Sequence, residues 1–88
     1  MKKIWDDIAW DAYVDWQTKD KKTLKKIHKL IDSIDRNGYN CIGKPEPLKH
    51  GLSGFWSVEI DKKNRFVFRI TDDNKLEIAQ CGTHYEDK

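Results

Sequence analysis

Between Gly43 and Trp56 the chain reads GKPEPLKHGLSGFW, a run that holds a carboxylate (Glu46), an ammonium (Lys49), an imidazole (His50) and a hydroxyl (Ser53). Prolines flank the carboxylate. Pro45 and Pro47 lack a backbone donor and restrict the residue before them, so Lys44 and Glu46 are expected to be extended. Gly51 and Gly54 allow a sharp bend back into a strand. A stiff loop carrying these groups suits acid/base chemistry, in which a base takes a proton, an acid returns one and a cation offsets developing negative charge.

The other residues with chemical potential are scattered. Lys19, Lys21, Lys22, Lys25, Lys26 and Lys29 stand against Asp20 alone between residues 19 and 29, a stripe that would attract phosphate or an acidic partner. A solvated helix face is the commoner explanation of such a run. Cys41 and Cys81 are far apart with no CxxC spacing, which points to reduced thiols. His28, His50 and His84 have no metal-ligand spacing with either cysteine, so neither a structural nor a catalytic metal is expected, and no cofactor.

The elements that must position these groups can be read from apolar periodicity. At 88 residues, with 38% hydrophobic and 36% charged residues, the chain is expected to form one domain. No apolar run approaches a membrane span or a secretory signal, so a cytoplasmic protein with no membrane partner is expected. Lys2 to Trp5 reads as an edge strand. Ile8, Ala9, Ala12, Tyr13 and Trp16 recur at helical spacing and predict a helix over about residues 7–18, with Trp10 and Val14 packing against the next helix. Asp20 is a good N-cap for a second helix with the apolar stripe Leu24, Ile27, Leu30, Ile31 and Ile34, ending where Gly38 can turn left-handed. Lys22, Lys25, Lys26 and Lys29 fall on its outer face, and His28 reads as a plain exposed residue.

Strand-like alternation follows. Trp56, Val58 and Ile60 share one face of a strand, as do Phe66, Phe68 and Ile70. Pairing Ile60 with Phe66 makes Lys62-Lys63-Asn64 a three-residue turn with Asn64 left-handed. Pairing Ile70 with Leu76 and Phe68 with Ile78 makes Asp72-Asp73-Asn74 the next. This register turns Arg65 and Arg69 away from the core, where an exposed Arg65–Asp61 ion pair is the plain structural expectation. Strict alternation would then put Tyr85 on the Arg65 face and His84 on the other, unless a bulge near Gly82 intervenes. The fold expected is α+β, a two-helix antiparallel hairpin on one face of a small, mainly antiparallel twisted sheet in the order β-α-α-β-β-β.

The run from Gly43 to Ser57, the strand Asn64 to Phe68, the pair His84-Tyr85, the opening Lys2-Lys3-Ile4-Trp5 and the segment Asp32-Ser33-Ile34-Asp35-Arg36 together resemble the YoeB/Txe branch of the RelE/ParE bacterial toxins. The resemblance spans nearly the whole chain. It implies a RelE-like fold and a ribosome-dependent mRNA endonuclease that cleaves in the A site without metal, leaving a cyclic or 3′ phosphate and a 5′ hydroxyl. It implies Glu46 as general base, Arg65 as transition-state stabiliser, His84 as general acid and Tyr85 as a base-positioning aromatic. Lys49, His50 and Arg69 become RNA contacts, and Lys22, Lys25, Lys26 and Lys29 a surface for ribosomal RNA. The partners implied are a cognate antitoxin of the YefM/Axe kind, the ribosome and mRNA, operator DNA as a toxin–antitoxin complex, and a homodimer, with which exposed aromatics are compatible.

Two features depart from that pattern. Where the family often has two arginines after the FWS motif, this chain has Val58 and Glu59, a loss for which Arg69 would have to compensate. Glu86-Asp87-Lys88 also extends past the His-Tyr pair. Two other functions remain open at this point: a ParE-like, non-enzymatic inhibitor of DNA gyrase, and a binding module that acts mainly at an operator with its antitoxin.

Overall fold

A computed structural model describes residues 1–82. Strand β1 (Lys3–Trp5) leads into helices α1 (Asp7–Lys19) and α2 (Lys21–Asn37), followed by β2 (Glu46–Pro47), β3 (Trp56–Glu59), β4 (Arg65–Ile70) and β5 (Leu76–Gly82). The strands form one sheet in the order β1-β5-β4-β3-β2, with β1 parallel to β5 and the remaining pairs antiparallel. This is the expected helical pair on a mainly antiparallel sheet, with one strand more than the sequence suggested. The extra strand comes from the proline-flanked run itself.

Asp20 alone joins the helices. Its carboxylate accepts from the backbone N–H of Lys22 and Thr23 and from the Thr23 hydroxyl at 2.9 Å, closing the N-terminus of α2. The Thr23 hydroxyl, followed by the Thr23 and Lys22 backbone donors, holds the Asp20 carboxyl below the usual carboxylate range. A depressed folded-state value stabilises above the unfolded pKa of ~3.9 and is lost as pH falls through the folded value. Asp20→Ala is therefore expected to lower the melting temperature at neutral pH and to reduce its drop on acidification below about pH 4, as thermal melts would read.

The stripe on α2 buries as expected, with Ile27, Leu30 and Ile34 fully enclosed against Val58, Phe66, Phe68, Leu76 and Ile78 of the sheet. Each such side chain contributes roughly 1.5–3 kcal/mol by burial. Helix α1 differs from expectation, because it packs mainly on β5 through Ala9, with Ala12 and Trp16 at the core's edge. Trp16 donates its indole N–H to the Cys81 carbonyl at 2.7 Å. That orientation leaves Ile8, Trp10 and Val14 at 67%, 47% and 45% exposure, so Trp10 and Val14 do not pack under α2. Trp10 instead meets Trp5 edge-on, and the Tyr13 hydroxyl bonds His28 Nε2 at 2.9 Å. Both cysteines are free and buried, and burial pushes the Cys81 thiol up to about 12.

Pairing of β3 with β4 is two residues out from the expected register. Val58 opposes Phe66 and Glu59 opposes Arg65. The reason is Asp61, whose carboxylate accepts from the backbone N–H of Lys63 and Asn64 at 2.8 Å and from the Asn64 amide, while Ile60 N–H closes on the Asn64 carbonyl. Asp61 is thereby committed to its own turn, and Asn64 is not left-handed. A shift of two residues preserves every face, so the core assignment survives. The β4–β5 turn matches expectation, with Asn74 at a φ of 62° and Ile70 opposite Leu76.

Gly43 anchors the run that follows. It has a φ of +94°, its carbonyl accepts from Glu59 N–H at 2.9 Å, and a Cβ there would lie 3.0 Å from Leu30 Cδ2 and from Val58 Cβ. With the chain pinned there, the turn into Pro45 falls on Lys44, whose φ is 55° rather than extended as its place before proline suggested. Gly43→Ala combines left-handed strain with overpacking and is expected to cost about 2–4 kcal/mol, read as a lower urea midpoint at unchanged slope.

Candidate active site

Glu46 reaches the sheet because the flanking prolines keep it extended, and β2 pairs it with Ser57. Leu48 N–H donates to the Phe55 carbonyl at 2.9 Å, so residues 48–55 form a closed loop at the end of the β2–β3 pair. His50, at 61°, and Gly54, at 97°, take positive φ in that loop, whereas Gly51 does not.

Arg65 rises from the start of β4 on the face away from the helices, as the alternation predicted. Its guanidinium is engaged at every nitrogen. Nε–H donates to Ser57 Oγ at 2.9 Å, Nη2 lies 2.8 Å from Glu46 Oε1, and Nη1 lies 3.6 Å from Glu59 Oε2. Its partner is therefore not Asp61, as the plain structural expectation had it. Arg65 is 22% exposed, whereas Glu46 is 63% exposed, so the pair sits at the surface with the cation recessed and the carboxylate outward. Ser57 is fully buried, which makes its bond to Arg65 a fixed hinge for the guanidinium.

The remaining predicted residues are distributed around this pair. Lys49 and His50 are exposed on the loop, and among the described residues neither makes a hydrogen bond or ion pair with the Glu46–Arg65 cluster. Arg69 shares the Arg65 face about 13 Å further along the strand. It is occupied there, with Nε 2.7 Å from Glu77 Oε1 and the guanidinium 5.0 Å over the Phe55 ring. Lys22, Lys25, Lys26 and Lys29 lie on α2, in the helical layer behind the sheet. Lys22 and Lys26 line a shallow recess with Thr23, Ile60 and Asp61. The fold thus unites Glu46 with Arg65 and leaves the lysine stripe elsewhere. His84 and Tyr85 lie outside the described residues.

A bulge does interrupt β5, but at Ala79 rather than Gly82. Phe68 opposes Ile78 whereas Val67 opposes Gln80, leaving Ala79 unpaired. Core positions pass from even to odd: Leu76 and Ile78 are buried before it and Cys81 after it. Strict alternation along the strand, the basis for assigning faces to its end, therefore does not hold. Reading the residues missed Ser57 and the direct contact of Glu59 with Arg65. The signal available was their strand position, since both share the parity of the polar face.

A carboxylate and a guanidinium in contact on an open surface offer a proton acceptor and an anion-binding donor set side by side. Among the described residues there is no group of three or more His, Cys, Asp or Glu side chains arranged to hold a metal, and no helix long and apolar enough to cross a membrane.

Known proteins give this cluster a family. Residues 5–85 match the family described as YoeB-like toxin of bacterial type II toxin–antitoxin systems. The chain is 51% identical to toxin YoeB of Escherichia coli K12 over 85 residues, covering 97% of this chain and all of that one. A YoeB/ParE toxin from Agrobacterium tumefaciens superposes with a TM-score of 0.92 at 41% identity, over 97% of this chain and 100% of that one. The toxin in a heterotetrameric YoeB–YefM complex from Staphylococcus aureus gives 0.88 at 42% identity, over 97% and 98% of the two chains. With the match running through both helices, the proline-flanked carboxylate and the Arg65 strand, the chain belongs to the YoeB-like toxin family of bacterial type II toxin–antitoxin systems.

Proposed function

We propose that this toxin is a ribosome-dependent mRNA endonuclease, and that Glu46 and Arg65 are its chemical centre. The observation that carries the reading is the 2.8 Å contact between them, made on the sheet face opposite the helices by residues 19 positions apart. In the reaction, Glu46 takes the proton of a ribose 2′-OH, and the 2′ oxygen forms a bond to the adjacent phosphorus. The bond from phosphorus to the 5′ oxygen breaks, and that oxygen takes a proton from His84. The products are a 2′,3′-cyclic phosphate and a 5′ hydroxyl. Arg65 stabilises the charge that accumulates on the phosphate oxygens.

His84 and Tyr85 enter by the family resemblance, as general acid and as the aromatic that holds a base. Lys49 and His50, on the loop that follows Glu46 and β2, supply RNA contacts, and the lysines of α2 supply a salt-sensitive attraction to ribosomal RNA from the helical side. Arg69, held by Glu77, gives field rather than a direct contact. Neutralisation by an antitoxin of the YefM kind, operator binding with that antitoxin, and pairing of two toxin copies belong to the same reading. The exposed Ile4, Ile8, Trp10 and Val14 offer apolar surface for such assembly.

The experiment is primer extension on an mRNA in a reconstituted bacterial translation system. New 5′ ends that require both toxin and ribosomes are expected, in the presence of excess chelator for transition metals. An unaltered mRNA beside inhibited supercoiling by purified gyrase would instead establish the ParE-like activity.

A further inference from the structure

The proposed reaction leaves Glu59 without a part, although it stands against the group that would hold the scissile phosphate. Glu59 is the direct cross-strand partner of Arg65, with Oε2 3.6 Å from Nη1. Its place is fixed by the ladder and by its own N–H, which donates to the Gly43 carbonyl at 2.9 Å. Glu46 occupies Nη2 and Ser57 occupies Nε, so Arg65 meets two carboxylates before any RNA arrives. The trio of Glu46, Glu59 and Arg65 carries net negative charge, two carboxylates against one guanidinium. A phosphodiester approaching Arg65 is repelled by the second carboxylate and competes with it for the same donors.

We infer that Glu59 is a resident anion on Arg65 which the scissile phosphate must displace, so that it limits how tightly RNA engages this site and not how fast engaged RNA is cleaved. The inference rests on the reading of Glu46 and Arg65 as the RNA-cleaving pair. Unlike Glu46, Glu59 takes no proton in that reaction. Once the phosphate is on Arg65 the carboxylate, 45% exposed, can turn to solvent. Its effect therefore falls on substrate binding.

The test compares wild type, Glu59→Gln and Glu59→Asp by steady-state cleavage on programmed ribosomes. In parallel, the affinity of each for an oligoribonucleotide 2′-O-methylated at every position is measured at several salt concentrations. Glu59→Gln is expected to lower KM about two- to fivefold, the range for one exposed ion pair, with kcat little changed. It should tighten the methylated RNA by a similar factor, and the gain should shrink as salt rises. Glu59→Asp keeps the charge and should stay near wild type. Equal or weaker RNA binding by Glu59→Gln would overturn the inference even where wild type cleaves normally. A wild type that cleaves nothing would count against the nuclease reading alone, because the binding comparison still decides whether Glu59 opposes phosphate.

Discussion

Glu46→Gln is expected to slow ribosome-dependent cleavage by about 10²–10⁴-fold, the usual worth of a general base, while leaving folding almost untouched. The two effects separate because of where Glu46 stands. Its side chain is 63% exposed and its one polar contact among the described residues is with Arg65. An exposed ion pair contributes only ~0–1 kcal/mol, and glutamine retains an oxygen acceptor for the guanidinium. The loss should fall on kcat and on kcat/KM alike, since proton removal belongs to the transition state. Single-turnover cleavage and a urea melt on the same preparation check both halves. A variant that still cleaves within tenfold of wild type would remove Glu46 from the role of base.

Arg65→Ala should behave differently, losing activity and stability together. Removing the donors that face the scissile phosphate is expected to cost about 10²–10³-fold in rate. It also strands the hydroxyl of Ser57, which is fully buried and bonded to Arg65 Nε at 2.9 Å. An unsatisfied buried hydroxyl costs roughly 1–3 kcal/mol. The double variant Arg65→Ala with Ser57→Ala should therefore recover much of the stability and none of the activity. Arg65→Lys keeps a charge but cannot fork between Ser57 and Glu46, so an intermediate loss of rate is expected. Urea midpoints of the three variants against their cleavage rates decide this.

These two residues also show how far the sequence could be read. Proline on each side of Glu46 is a local restraint, and apolar alternation from Phe66 to Ile70 fixes the face of Arg65, so each could be placed alone. Their contact could not be derived, because it depends on β2, a two-residue strand whose pairing is non-local. The α2 stripe and its Asp20 cap were legible since both rest on interactions within a few residues. The α1 face was not, because Ala9, Ala12 and Trp16 were read together with Ile8 as one strip, whereas packing on β5 selects the small residues and leaves Ile8 outside. The register of β3 on β4 was missed because the Asp61 side chain closes its own turn early, and the backbone at Lys44 because Gly43 upstream dictates the path. The face of each strand survived the two-residue slip between β3 and β4, and would not have survived a slip of one.

The most direct test of the account is single-turnover cleavage of an mRNA that carries one 2′-deoxynucleotide at the position where primer extension maps the cut, compared with its all-ribose twin. Attack by the 2′ oxygen predicts that the all-ribose mRNA yields a cyclic or 3′ phosphate and a 5′ hydroxyl, and that the deoxy-substituted mRNA stays intact at that bond. Cleavage of the deoxy-substituted bond, or a 5′ phosphate on the downstream product, would contradict it.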